Sequence, residues 1–296
     1  MQEPMLKFNK TRIAPTPSGF LHLGNVLSFV LTAALAQQTG AKILLRIDDL
    51  DRERVKPEYV QDIFDTLNFL EIPWQEGPRN VAEYEKDWSQ VHRLALYRDA
   101  LEKLERNGHV FSCTCSRAQL QASRNVYPGT CLGKGLSLDT PESNLRLITD
   151  DDEVWMKTYP GKSIGTTLPD EMNDFVVWKK DGLPAYQLAS VCDDIYFGVD
   201  LVVRGLDLWP STLAQLQLAT KLGETGFTDV TFYHHPLLMT AGGEKLSKSA
   251  GDTSVKFLRG QGKTPADIYT IIADLAGKEQ RVNNWSQLSQ LLLSDF

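Results

Sequence analysis

The stretch Thr11-Arg12-Ile13-Ala14-Pro15-Thr16-Pro17-Ser18-Gly19-Phe20-Leu21-His22-Leu23-Gly24-Asn25 reads as strand, turn and helix in immediate succession, and it restricts the architecture more than any other segment. The β-branched and apolar residues before Pro15 suit a buried strand, which two prolines and a glycine bring to an end. From Asn25 onward, Val26, Leu27, Phe29, Val30, Leu31, Ala33, Ala34 and Leu35 are too dense for one apolar stripe. They predict a helix buried on nearly all sides and stopped by Gly40. A strand that feeds a buried helix through a polar turn sets backbone N–H groups and a positive dipole end where an anion can sit. His22 stands at the mouth of that turn, placed to meet a phosphate. The same letters also fit an ordinary β–α turn with a surface histidine.

Residues 42–47, Lys-Ile-Leu-Leu-Arg-Ile, read as a second buried strand, followed by Asp48, Asp49 and Asp51. Strand, helix and strand in one compact unit predict a right-handed crossover and a parallel sheet, so the fold class is α/β. Ligands of such sheets bind beyond the carboxyl ends of the strands, where Asp48 falls. Acids in that position also serve as turn formers or helix caps, the reading that suits Asp49 and Asp51. A chain of 296 residues has room for one large α/β domain with an insertion, or for two ordinary domains.

Hydrophobic content of 42% with 23% charged residues is that of a soluble globular protein. No apolar run reaches the ~18 residues of a membrane span. Met1 to Lys10 lacks the apolar core of a signal peptide, so a cytoplasmic location is expected. The net charge of −7 argues against a chain that coats nucleic acid nonspecifically, and leaves room for a local basic patch.

Apolar spacing predicts amphipathic helices over 57–71 and 90–106, with a loop of no assigned chemistry between them. Three of the four cysteines, Cys113, Cys115 and Cys131, lie within nineteen residues. Their thiolates can close a tetrahedral zinc site if a fourth ligand appears; no histidine lies between them, and Tyr127 is the nearest donor. Three buried thiols without metal fit the spacing equally well. Residues 139–171 read as irregular, with Asp150 to Glu153 as a solvated turn. A strand at 174–178, a short apolar helix at 184–194, a strand at 201–205, a helix at 211–222 and a strand over 231–239 complete a second αβ half. Cys192 is read as core, and His234 and His235 as strand residues without a role. Gly242-Gly243-Glu244-Lys245-Leu246-Ser247-Lys248-Ser249 combines two glycines, two lysines and two hydroxyls, the composition of a polyphosphate clamp or of a solvated basic loop.

Taken together, His22-Leu23-Gly24-Asn25 and Lys245-Leu246-Ser247-Lys248-Ser249 resemble the two signature motifs of the class I aminoacyl-tRNA synthetases, with Asn25 in place of the first motif's last histidine. Residues 12–19, Arg-Ile-Ala-Pro-Thr-Pro-Ser-Gly, resemble the glutamyl branch. The resemblance implies L-glutamate binding by Arg12, Ala14, Thr16, Asp48, Tyr186 and Arg204, and ATP binding by His22, Gly24, Asn25, Lys245, Ser247 and Lys248. His22, Lys245 and Lys248 then carry catalysis, with Mg2+ accompanying ATP. A ligand with two carboxylates and one ammonium matches two guanidinium forks and one carboxylate. Bacterial members of the branch usually carry Glu at the position of Asp48, and Ser190 stands where the full-length enzymes have an Asn lining the pocket.

The resemblance covers roughly residues 10–255, after which about forty residues remain, room for one or two helices. It is strongest to a short glutamyl-queuosine branch of the family, which attaches glutamate to the queuosine base in the anticodon of tRNA(Asp). The Cys-x-Cys, Tyr, Cys pattern of that branch matches Cys113, Cys115, Tyr127 and Cys131, implying a structural zinc ion held by these four. The expected organisation is the first half of a Rossmann-like catalytic domain over 1–110, an inserted zinc module over 111–172, the second half with the lysine-rich loop over 173–252, and a short helical segment over 253–296. Two alternatives stay open: a short glutamyl-tRNA synthetase that charges the acceptor end, and a non-catalytic paralogue that binds tRNA or glutamate as a regulator.

Overall fold

The computed structural model describes residues 6–122, 126–239 and 254–294. Along the chain, β1 (Lys10–Ile13) leads into α1 (Leu23–Thr39), β2 (Lys42–Leu45), α2 (Pro57–Phe69) and the single turn α3 (Val81–Glu83). Next come α4 (Leu94–Arg106), β3 (Val110–Cys113), α5 (Arg117–Ala122), β4 (Asn144–Leu147), β5 (Val154–Thr158), β6 (Lys162–Thr166) and β7 (Val176–Trp178). They are followed by α6 (Tyr186–Phe197), β8 (Leu201–Gly205), α7 (Trp209–Leu222), α8 (Thr225–Thr228) and β9 (Thr231–His235). The last elements are α9 (Val255–Gly260), α10 (Pro265–Leu275) and α11 (Trp285–Leu293). The chain forms two compact units, one drawn from residues 1–90, 201–206 and 233–296, the other from 91–200 and 207–232.

In the first unit β1 lies between β2 and β8, parallel to both. Arg12 is level with Leu44 on one side, and Thr11 with Leu201 on the other. Helix α1 packs on these three strands while α10 and α11 cover its far side, which is why its apolar residues run all round it. Gly40 ends α1 in the left-handed conformation at φ 79°. Gly77, at φ 103°, lies against β2 so closely that a Cβ there would fall 2.3 Å from the Leu45 carbonyl oxygen, so no side chain fits. The segment after β2 is anchored by Asp49, fully buried, whose carboxylate accepts from the Tyr84 hydroxyl (2.6 Å), the Ser89 hydroxyl (2.5 Å) and the Gln90 N–H (2.9 Å). Asp49 therefore serves the structural purpose read for it, holding the 72–89 connection in place.

The second unit combines mutually packed helices α4, α6 and α7 with an antiparallel sheet in the order β3-β4-β7. A hairpin of β5 and β6 runs parallel, through β5, to the start of β9. Three strands in the 139–171 region depart from the irregular reading of that stretch. Each is only four or five residues long, and in β5 the outward position is taken by Trp155, 60% exposed, so that Val-Trp-Met shows no alternation of apolar and polar letters. Asp150 departs from its solvated-turn reading as well: it accepts from Gln217 Nε2 (2.9 Å) and pairs with Lys221.

Helices α4 and α6 are joined by a buried charge pair. The Arg93 guanidinium donates through Nε (2.8 Å) and Nη2 (3.1 Å) to the two oxygens of Asp193, and the Tyr97 hydroxyl adds a third bond at 2.8 Å. Removing the acid strands a buried guanidinium, which costs more than the pair's net stabilisation. Asp193→Ala is expected to lower the unfolding free energy by about 3–5 kcal/mol. Urea titration followed by circular dichroism measures it, and a loss below 1 kcal/mol would show the pair to be dispensable.

Candidate active site and metal centre

His22 is the N-cap of α1. Its Nδ1 accepts the Gly24 N–H at 3.1 Å, and its own backbone N–H donates to Asn25 Oδ1 at 3.1 Å, a reciprocal capping box. With Nδ1 accepting, the hydrogen of the neutral ring resides on Nε2, so the imidazole is set as a donor toward an anion. Gly24 has a steric reason to be glycine, because a Cβ would stand 3.0 Å from His22 Cε1. Its N–H is used by the cap, which narrows the expected cradle of backbone donors: the first turn satisfies part of itself. Asn25, in place of the motif's second histidine, closes the cap.

His235 was read without a role, yet it reaches this same turn. Its Nδ1 lies 2.8 Å from the Pro236 carbonyl, which only accepts, so Nδ1 carries the hydrogen and Nε2 accepts the Ser28 hydroxyl at 2.7 Å. Ser28 also stands one turn after Gly24, 3.3 Å from its carbonyl.

At the carboxyl ends of β1 and β8 the first unit buries two guanidinium groups, Arg12 and Arg204. Arg12 donates through Nη1 to the Val203 carbonyl at 3.4 Å. The chain beyond β2 follows β1 outward through Arg46 N–H to Ile13 O (2.9 Å) and Asp48 N–H to Pro15 O (3.0 Å), which brings Asp48 level with the Pro15 turn. Half-buried Ala14 and Thr16 flank that turn. Both Asp48 oxygens are gripped by Arg46, at 2.7 and 3.0 Å, so the carboxylate is held in one orientation. Sequence reasoning took Arg46 for a strand residue and missed this. It also missed His234, whose imidazole is pushed down to about 3 by burial and by the positive Arg204 and Arg12. The ring stays neutral beside the two arginines. Its sequence signal was no more than a pair of histidines at the end of a strand.

Tyr186 opens α6 in the second unit, 43% exposed, and Ser190 is buried one turn later. Lys245, Ser247 and Lys248 lie outside the described residues.

In the second unit the sulfurs of Cys113, Cys115 and Cys131 lie within 4.8 Å of one another, with Cys115 Sγ 3.7 Å from Cys131 Sγ. Burial raises the Cys131 thiol, but bonds from the Thr114 N–H and from Cys115 outweigh it and bring it down to about 7. Burial pushes Cys115 up to about 11. The Tyr127 oxygen receives the Cys131 N–H at 2.7 Å, and the Arg146 guanidinium lies 4.1 Å over the phenol ring. The N–H bond favours a negative phenol oxygen, but burial and the neighbouring cysteines outweigh it and keep the phenol protonated until a cation is bound. Three sulfurs and one phenol oxygen fit a tetrahedral divalent ion, whose charge would hold the thiols deprotonated.

The model of the tRNA synthetases class I (E and Q) catalytic domain matches residues 9–289. The chain belongs to this family. It is an enzyme of the ligase type, and its α/β fold is that of a class I synthetase. The Glutamyl-Q tRNA(Asp) synthetase of Symbiobacterium thermophilum is 36% identical over 284 residues, covering 90% of this chain and 86% of the relative. The Glutamate–tRNA ligase of Anaeromyxobacter sp. (strain K) is 33% identical over 275 residues, covering 90% of this chain and 57% of the relative. Among solved structures, the glutamate-tRNA synthetase of Elizabethkingia anophelis superposes with a TM-score of 0.72 at 23% identity, covering 95% of this chain. The chain spans 65% of that structure's length. Among the described residues no helix is long and apolar enough to cross a membrane.

For this synthetase the cysteine cluster gives a direct test. Elemental analysis of the purified protein should find about one zinc per chain, and Cys115→Ser should lose it and lower the melting temperature. Zinc-free protein with an unchanged melting temperature would remove the metal from the module.

Proposed function

We propose that the chain activates L-glutamate with Mg·ATP to glutamyl-adenylate and transfers the glutamyl group to the queuosine base in the anticodon of tRNA(Asp). The observation that supports it most is the pair of buried guanidinium groups, Arg12 and Arg204, at the carboxyl ends of neighbouring parallel strands, with Asp48 held nearby. A buried positive pair calls for a ligand with negative charge, and the two carboxylates of glutamate supply it. Asp48 suits the ammonium. The relative named Glutamyl-Q tRNA(Asp) synthetase, matched over 86% of its length, supports the tRNA and the queuosine.

In the first step the substrate α-carboxylate attacks the α-phosphate and pyrophosphate leaves. Since the nucleophile is already an anion, no general base is required, and positioning with charge stabilisation carries the rate. His22 offers its Nε2 hydrogen to the phosphate oxygens, the start of α1 adds its dipole, and Lys245 and Lys248 bring positive charge. Mg2+, when bound with ATP, neutralises phosphate charge. In the second step a hydroxyl of the queuosine ring attacks the mixed anhydride, an ester forms, AMP leaves and the hydroxyl proton is released. The zinc ion's part is structural, in Cys113, Cys115, Tyr127 and Cys131.

ATP–pyrophosphate exchange with glutamate and without tRNA, followed by transfer to tRNA(Asp) with and without queuosine, tests the reading. Exchange together with queuosine-dependent attachment is expected. Exchange only in the presence of tRNA(Glu) would make the chain an acceptor-end synthetase, and no exchange at all would make it a binding paralogue. Lys248→Ala should slow exchange by about two orders of magnitude, the scale of one preorganised charge; an unchanged rate would remove Lys248 from the mechanism.

A further inference from the structure

The residue before His22 is tied down on both sides of its peptide chain. Leu21, itself buried, donates its N–H to Asp62 Oδ2 at 2.9 Å, and its carbonyl accepts the Val255 N–H at 2.8 Å. His22 adds an antiparallel bridge to Ser254. One residue earlier, the Phe20 ring takes the Tyr59 ring edge-on at 5.0 Å, and the Lys256 ammonium lies 4.1 Å from its centre. Residues 20–22 are thus wedged between α2, which carries Tyr59 and Asp62, and the start of α9, which carries Val255 and Lys256.

Asp62 is the polar member of that wedge on the α2 side. It is a buried acid in the middle of a helix, beside a cavity that Asp65, Lys256 and Arg259 also line. A buried carboxylate is costly unless its surroundings repay it, and a leucine or alanine would serve a merely packed helix face better. Its partner explains it: the Leu21 N–H belongs to a strand-to-helix turn and has no ladder to join, so without Asp62 it would be an orphaned buried donor. The His22 ring is held to its own backbone through the Gly24 cap, so the ring can point only where residues 21 and 22 put it.

We infer that Asp62 is a positioning residue for the activation step, fixing through the Leu21 N–H the place from which His22 presents its Nε2 hydrogen. Asp62 touches neither substrate; it acts through the main chain of the turn. The inference rests on the proposed glutamate activation for its kinetic consequence and stands without it for its structural one.

Three variants and two readouts test it. Asp62→Ala removes the acceptor, Asp62→Asn keeps an acceptor oxygen without the charge, and Asp62→Glu keeps the acid but lengthens it by one methylene. In glutamate-dependent ATP–pyrophosphate exchange, Asp62→Ala should lose about ten- to a hundredfold in kcat, the range of a misplaced catalytic group, with the KM for glutamate unchanged, since Arg12 and Arg204 stand on other elements. Asp62→Asn should restore most of the rate. Hydrogen–deuterium exchange of the peptide spanning residues 20–24 should accelerate in Asp62→Ala and return toward the wild-type rate in Asp62→Asn. If Asp62→Ala fails to fold, Asp62→Glu replaces it and should show the same kcat loss in weaker form. A wild-type kcat in Asp62→Ala or in Asp62→Glu, an Asn variant as slow as the Ala variant, or unaltered deuterium exchange would each overturn the inference. Wild-type protein without glutamate-dependent exchange would instead defeat the functional reading, and the deuterium measurement would still decide the role of Asp62.

Discussion

The parallel register of β1 against β2 and β8 is the constraint on which the rest of the first unit depends. With Thr11 level with Leu201, Arg12 is level with Val202, and Arg204, two residues on, shares its face of the sheet. The ladder with β2 is prolonged past the strand ends by two main-chain bonds that carry Asp48 to the Pro15 turn. A slip of one residue in β1 would turn Arg12 to the opposite face and leave its guanidinium without the neighbours it has. The three charged groups proposed to meet glutamate thus depend on a few backbone hydrogen bonds.

Electrostatics follows from this placement. Burial first, and then the positive potential of the two buried guanidinium groups, keeps His234 neutral. A third cation would only repel the others, whereas an imidazole without charge fills space and still bonds. Arg46 meets Asp48 with a charge of opposite sign, donating to both carboxylate oxygens at 2.7 and 3.0 Å. The site is arranged in charge before any ligand arrives, the condition under which electrostatic binding and catalysis are most effective.

The parts of the fold that could be read in the letters are those whose pattern is local. The β1–α1–β2 crossover was legible because an all-round apolar helix between two apolar strands has few other places to go. The assignment of β8 to 201–205 held to the residue, and all five of its residues are buried, Arg204 included. Strands β4, β5 and β6 escaped because they are short and because Trp155 faces outward. In the site, Arg12, Asp48 and Arg204 could be singled out by motif and strand end. His235 and Asp62 could not, because each acts through a partner distant in sequence, and a pairing of that kind leaves no spacing to recognise; Arg46, only two residues from Asp48, was hidden because it read as one more residue of the strand. His22 was visible as a residue, but its tautomer was not; that came from the Gly24 N–H.

The cysteine cluster has a consequence that concerns redox chemistry. Two sulfurs 3.7 Å apart, one of them on a thiol that ionises near neutrality, are close to the separation from which a disulfide forms once an oxidant is present. A metal ion seated among the three would occupy the electron pairs that such oxidation consumes. Its loss in an oxidising medium would leave Cys115 and Cys131 free to couple and Cys113 alone, so in this module metallation and oxidation compete for the same sulfurs, and a reducing compartment is the setting in which the metal wins.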